Sequence, residues 1–201
     1  MSALEVYVKL PLILEYVQSL GHAVFTNGLY NLNIIGVRSK SRERGAFDDW
    51  IVVVYRDESG WVARWWPATT DPGNPSGTAV LVPGQYRGAY QLGWHPNPNH
   101  ERKYEALVQV GAAVTVYRDR DGDEQLDLDP ATVETGWFGI NIHMAGKQSA
   151  STVVGNWSAG CQVFSDPTDF HEFLLICKRQ VEHHPTWTSF TYTLVDEPPF
   201  V

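Results

Sequence analysis

Cysteine is scarce in this chain: Cys161 and Cys177 are the only two among 201 residues. Two thiols cannot make the disulfide framework that staples small loop-rich domains. Cys177 falls on the apolar side of a helical repeat and reads as core, which leaves Cys161 as a free thiol. Positive charge is also short, with 15 Lys and Arg against 23 Asp and Glu and a formal net charge of −8. Nucleic-acid binding depends on clustered cations that neutralise phosphates, so this balance argues against it. The one basic run, residues 38–44, reads as a solvated loop. No stretch is long and apolar enough to span a membrane. Glu5, Lys9 and Glu15 interrupt the apolar residues at the start, no basic region precedes them, and no small-residue cleavage site follows. No signal peptide is therefore expected, and synthesis is expected in the cytoplasm. Internal repeats and low-complexity tracts are lacking as well.

Aromatics, by contrast, are plentiful: eight Trp, nine Tyr and eight Phe. Some of these rings are expected to line a groove, since aromatic rings give contact area at low conformational cost; a β-rich core that favours aromatics is the alternative. The length suits one domain with a small N-terminal extension, here divided as residues 1–45 and 46–201. Pro11 opens a short helix that Gly21 ends. Residues 32–37 read as a first strand. Residues 50–55 and 61–67 form a hairpin about a turn at 57–60, and residues 78–82, 87–94, 107–110, 113–117 and 190–195 read as further strands. Asp166, Pro167 and Asp169 mark a helix start; Phe170, Phe173, Leu174, Cys177 and Val181 repeat at helical spacing, and Pro185 stops the helix. His171-Glu172 lacks the second histidine of a zinc-peptidase helix, because Leu175 stands there. His95 and His100, in a prolyl loop, have no partner at ligand spacing and read as surface residues. Asp119, Asp121 and Asp123 look like the first half of a calcium loop, but the glycine is early and Pro130 holds the twelfth position. A solvated acidic turn is the favoured reading, and no cofactor is required.

The chemistry gathers in residues 139–164. Asn141 and His143 alternate with Ile140, Ile142 and Met144, the period of a half-buried strand with its polar face toward a cleft. After a loop rich in Gly, Ser, Thr and Asn comes Ser158-Ala159-Gly160-Cys161, small residues around a thiol, where backbone N–H groups can approach a substrate oxyanion. An unperturbed thiol of pKa ~8.5 is mostly protonated at neutral pH, and a reactive one needs an imidazole or an electropositive pocket to hold it as thiolate. His143 is the candidate partner. Without the surrounding context, a buried cysteine and a satisfied core histidine would explain the same two residues.

At these residues the sequence resembles the L,D-transpeptidase catalytic domain (YkuD-like) family, cysteine enzymes that act on the peptide stems of peptidoglycan. That family carries a histidine, a spacer, then Ser/Thr-His-Gly-Cys, a hydrophobic residue and an Asn or Arg. His143, Ser158, Gly160 and Cys161 match. Ala159 replaces the second histidine, and Gln162-Val163 replaces the last two positions. Weaker likeness runs upstream to about Asp49, through residues 50–55, residues 68–70 and the Pro83-Gly84-Gln85-Tyr86 turn. The resemblance implies Cys161 as nucleophile and His143 as base; the small residues around the thiol add Gly160 beside the oxyanion, and Ser158, Asn141, Trp157 and Gln162 are expected near the substrate. Asn141, Asn156 or a backbone carbonyl would orient His143.

The expected fold is a β-rich α+β domain, a mixed or sandwich-like sheet of the L,D-transpeptidase type with a helix after the active-site turn. The expected function is acyl transfer on a peptidoglycan stem peptide, chiefly as an L,D-peptidase. Cross-link formation, and a non-catalytic wall-binding or particle-associated module on the same fold, are the rivals. Action at the cell wall or periplasm would follow release by lysis, as with phage enzymes, or delivery by a secretion or injection apparatus.

Overall fold

Six consecutive apolar residues, 50–55, form the heart of a strand covered on both faces, which is why they show no alternation. The computed structural model describes residues 9–41, 44–73, 78–95, 103–119, 126–146, 149–155 and 158–201. The first helix, α1 (Leu12–Ser19), precedes the first three strands, β1 (Asn33–Arg38), β2 (Asp49–Asp57) and β3 (Gly60–Thr69). Next come β4 (Ala79–Leu81), β5 (Gly84–His95), β6 (Tyr104–Gln109), β7 (Val114–Arg118) and β8 (Glu134–Gly136). The chain closes with β9 (Ile142–Met144), β10 (Gln162–Phe164), α2 (Pro167–His183) and β11 (Ser189–Asp196).

Eight strands close into a barrel in the order β1-β11-β5-β6-β9-β10-β3-β2, and β4-β7-β8 form a separate three-stranded sheet. Two pairings, β1 with β11 and β9 with β10, are parallel; the other barrel pairs are antiparallel. The fold is thus strand-rich α+β, as expected, with closure in place of an open sheet. The three-residue strands β8 and β10 escape the sequence reading, since so short a run carries no usable period.

Alternate residues of the barrel wall serve two cores. Ile35, Val37, Val52, Val54 and Val195 face α1, which buries Ile13, Leu14 and Val17 against them. Burial of each such side chain stabilises by roughly 1.5–3 kcal/mol. Ile34, Ile51, Val53, Phe164, Tyr192 and Leu194 face the other way, into the main core with Phe170, Phe173, Leu174 and Cys177 of α2. Asp166 caps α2 by accepting the Thr168 N–H at 2.7 Å, with Pro167 in its first turn. The expected boundary near residue 45 separates no unit. The N-terminal helix packs on the domain, but β1 lies inside the closed sheet between β11 and β2.

A buried polar corner joins the end of β1 to the segment after β3. Arg38, 1% exposed, lies 3.0 Å from Asp71 Oδ1 and donates to Thr70 Oγ1 at 3.0 Å and to Leu81 O at 3.0 Å. Asp49 accepts from Ser39 N, Thr70 N and Thr70 Oγ1. Burial, reinforced by the charge of Asp71, raises its carboxyl to about 7. The two ends of the basic run are therefore not solvated, although Lys40 between them is exposed: Arg38 belongs to this corner, and Arg44, 6% exposed, pairs with fully buried Asp119 at 2.5 Å. Asp119 is likewise no part of a solvated turn. Asp121 and Asp123 lie outside the described residues, as do Asn156, Trp157 and His100.

Replacing Arg38 with Met removes the guanidinium while leaving a buried carboxylate beside it. The expected loss is about 3–5 kcal/mol, the cost of stranding a buried charge, seen as a fall in melting temperature of roughly 10 °C. A melting temperature within about 2 °C of the parent would show that the corner contributes little.

Candidate active site

Parallel pairing of β9 with β10 brings the ends of the 139–164 stretch together. Gln162 stands opposite Ile142, Val163 opposite His143 and Phe164 opposite Met144. One step back, the Gln162 N–H donates to Asn141 O at 2.9 Å and the Asn141 N–H donates to Cys161 Sγ at 3.4 Å. Ile142, Met144 and Phe164 enter the main core. By the two-residue period, Asn141, His143 and Cys161 therefore share the opposite face. Cys161, half-buried, also donates from Sγ to Gly139 O at 3.5 Å.

The loop before the thiol is docked on β4. Ala79 N–H donates to Ala159 O at 3.0 Å. Gly160 has φ of +134°, and a Cβ there would lie 2.0 Å from Ala79 O, so only glycine fits. Among the described residues, neither the Gly160 nor the Cys161 N–H has an acceptor. Two free donors beside a nucleophile are the raw material of an oxyanion hole.

Gln162, expected at the substrate, is fully buried instead. Its Oε1 accepts from Tyr192 Oη at 2.7 Å, and its Nε2 donates to Gly160 O at 3.3 Å and Thr70 O at 3.4 Å. Tyr192 gets there by passing over Gly36, where a Cβ would lie 1.8 Å from the hydroxyl. The side chain after Cys161 thus braces the thiol's own turn from the core side. Ser158 also turns inward, 1% exposed, with its carbonyl held by Gly73 N–H at 3.1 Å. Asn141 is 5% exposed; its Oδ1 accepts the Gln109 N–H at 2.9 Å, and its amide nitrogen lies 3.2 Å from His95 Nδ1. Three of the four expected substrate contacts, Gln162, Ser158 and Asn141, are thus buried in the framework, and the fourth, Trp157, lies outside the described residues.

His143 is buried beneath two residues. Its Nδ1 lies 2.9 Å from Met144 O and 3.2 Å from the Tyr104 hydroxyl. A carbonyl only accepts, so Nδ1 carries the proton and Nε2 the lone pair. A backbone carbonyl, one of the three groups the sequence offered to hold the ring, thus contacts Nδ1, while Asn141 bonds elsewhere and Asn156 lies outside the described residues. The His95 ring stacks on His143 with centroids 4.2 Å apart at 25°. His95 is accordingly no isolated surface residue. Its place at the end of β5 and that of Tyr104 at the start of β6, which pair across the sheet, have no local sequence signal. Trp137, 66% exposed, is a further ring that the sequence did not single out, two residues before Gly139.

Burial governs the charge state. It pushes the Cys161 thiol up to about 11, against the opposing pull of the Asn141 N–H. It pushes His143 down to about 3, with the charge of His95 adding to the effect and the Met144 carbonyl opposing it. The pair at rest is a neutral thiol and a neutral imidazole, whereas the sequence reading looked to the His143 imidazole to hold Cys161 as thiolate. Compared with protein-family models, with curated proteins and with solved structures, the chain matches none.

Because the thiol is raised and not lowered, its reactive form grows with pH well beyond neutrality. Alkylation of Cys161 by iodoacetamide should accelerate steadily from roughly pH 7 to 10 with no plateau near ~8.5. Cys177, fully buried, should remain unlabelled. A plateau below about pH 8 would reveal a preformed thiolate and contradict this charge state.

Proposed function

We propose that this chain is a cysteine acyl-transfer enzyme of the L,D-transpeptidase type that cuts the peptide stems of peptidoglycan. The observation that carries the reading is the β9–β10 pairing. It sets an imidazole with a defined Nε2 lone pair and a half-buried thiol on one face, next to two N–H groups that have no acceptor among the described residues.

The neutral pair fits a concerted first step. Sγ adds to the stem's carbonyl carbon as the thiol proton passes to His143 Nε2, so that no free thiolate accumulates. The carbonyl oxygen becomes an oxyanion facing the Gly160 and Cys161 N–H groups. Collapse breaks the C–N bond, and His143 returns the proton to the departing amine, leaving a thioester. Water then adds to the thioester while His143 accepts one of its protons. That proton goes to the thiol sulfur as the C–S bond breaks and the acid is released.

Hydrolysis is favoured over cross-linking because acceptor contacts are sparse. Ala159 offers only a methyl group, and Gln162 and Val163 are fully buried and face no acceptor strand. Water at ~55 M needs no pocket, while an amine acceptor depends on positioning worth orders of magnitude in effective molarity. Exposed Trp137 supplies apolar surface near Gly139 for the stem. Release by lysis or delivery by a secretion or injection apparatus would bring the protein to its wall substrate.

Incubation with a tetrapeptide stem and excess amine acceptor, followed by mass analysis, should yield mainly shortened stems. Cys161→Ala should lower turnover by at least about 10³-fold, with the fold retained. Cross-linked dimers as the main product would replace hydrolysis by transpeptidation. Full turnover in Cys161→Ala would remove the nucleophile, and no turnover in the parent would leave a binding module.

A further inference from the structure

His143 is covered by a ring whose own protonation is fixed from behind. The Gln109 backbone N–H donates to Asn141 Oδ1 at 2.9 Å, which settles the orientation of that amide. The Asn141 NH₂ group is therefore the donor to His95 Nδ1 at 3.2 Å. Accepting there, neutral His95 must carry its proton on Nε2. Protonating Nδ1 would set two donors against each other, so the contact opposes a charged His95. The same ring lies nearly parallel to His143, centroids 4.2 Å apart, and also meets the Tyr104 ring at 5.3 Å.

We propose that His95 is a positioning residue for the proton-transfer step, a neutral ring clamped by Asn141 that seats the His143 imidazole and keeps water from it. The proposal rests on the reading of His143 as the base for Cys161. Its chemistry is that of a lid: stacking fixes the plane of the His143 ring, while the Met144 carbonyl fixes its tautomer. With the ring shielded, an added charge on His143 is unfavourable until a thiol proton arrives, and the base stays available at low pH. The burial-driven lowering of both imidazoles agrees with this geometry. Among the described residues, the other titratable groups near the two rings are Tyr104 from β6 and the Cys161 thiol ahead of β10, whose charge acts on Tyr104. On the α2 side, His171, Glu105 and Lys178 line a cavity of about 250 Å³ that shares Tyr104 and Met144 with the site. Glu105 and Lys178 pair with each other at 2.6 Å and cancel in charge.

The test compares His95→Ala, which removes the ring, with His95→Phe, which keeps a stacking ring without its nitrogens. Two readouts are needed: kcat/KM for stem cleavage against pH, and the His143 ring titration followed by NMR, which requires no substrate. In His95→Ala, water reaches His143 and its pKa rises. The acid limb should then move up by at least about one pH unit, and kcat/KM at neutral pH should fall roughly 10- to 100-fold. His95→Phe should stay within about threefold of the parent, with the acid limb still low. An unchanged His143 titration in His95→Ala would overturn the proposal, as would a folded His95→Phe with the pH profile of His95→Ala. If His143 titrates as expected but His143→Ala cleaves stems as well as the parent, the positioning of the ring stands and the acyl-transfer reading falls.

Discussion

The parallel pairing of β9 and β10 is the contact on which the rest of the site depends. Each strand is three residues long, too short to be stable in isolation, and each is held by longer neighbours. β10 pairs with β3 on its other edge, and β9 meets β6 through Leu107 and Ile142. The barrel therefore closes at the site itself. A slip of one residue in either short strand would turn His143 or Cys161 toward the core and bring Ile142 or Gln162 out. Ile142 and Phe164 resist such a slip because both are fully buried on the inner face.

Polar groups stiffen the same region from within. Gln162, bonded to Tyr192, Gly160 and Thr70, connects β11 to the turn that carries the thiol. The Arg38, Asp71, Thr70 and Asp49 corner anchors the other side of Thr70. A buried hydrogen-bonded network of this kind leaves little freedom, since each group displaced would lose its partner in a low dielectric. Such rigidity fits the proposed role of Cys161, in which the neighbouring N–H groups would have to point already at a developing charge.

Burial has a chemical consequence that runs against the simplest picture of a cysteine enzyme. Desolvation disfavours both the thiolate and the imidazolium, so each partner prefers to be neutral. In the proposed reaction, proton transfer between them would exchange two neutral groups for two opposite charges, and the low dielectric of the site would couple that transfer to attack and limit idle reactivity of the thiol.

Local pattern was enough for much of the scaffold. The helix opened by Pro11, the hairpin around residues 57–60, the capped helix after Asp166 and the final strand each rest on contacts within a few residues, and the chain spells these out. That His143 and Cys161 come near each other followed from the alternating strand and the small-residue turn at the two ends of residues 139–164, which pair in the barrel. What only the tertiary structure decided is how the rest of that stretch is used. Gln162 faces inward because β10 is a strand whose period sends it to Tyr192, and Asn141 serves Gln109 and His95, 32 and 46 residues away. Arg44 and Asp119, each reading as exposed in its own loop, bury each other across 75 residues. His95 reaches His143 through the β5–β6 hairpin and the closure of the barrel, contacts that sequence spacing does not encode. Pairing and burial between distant segments set the charge state and the company of each group, and those come into being only when the barrel closes.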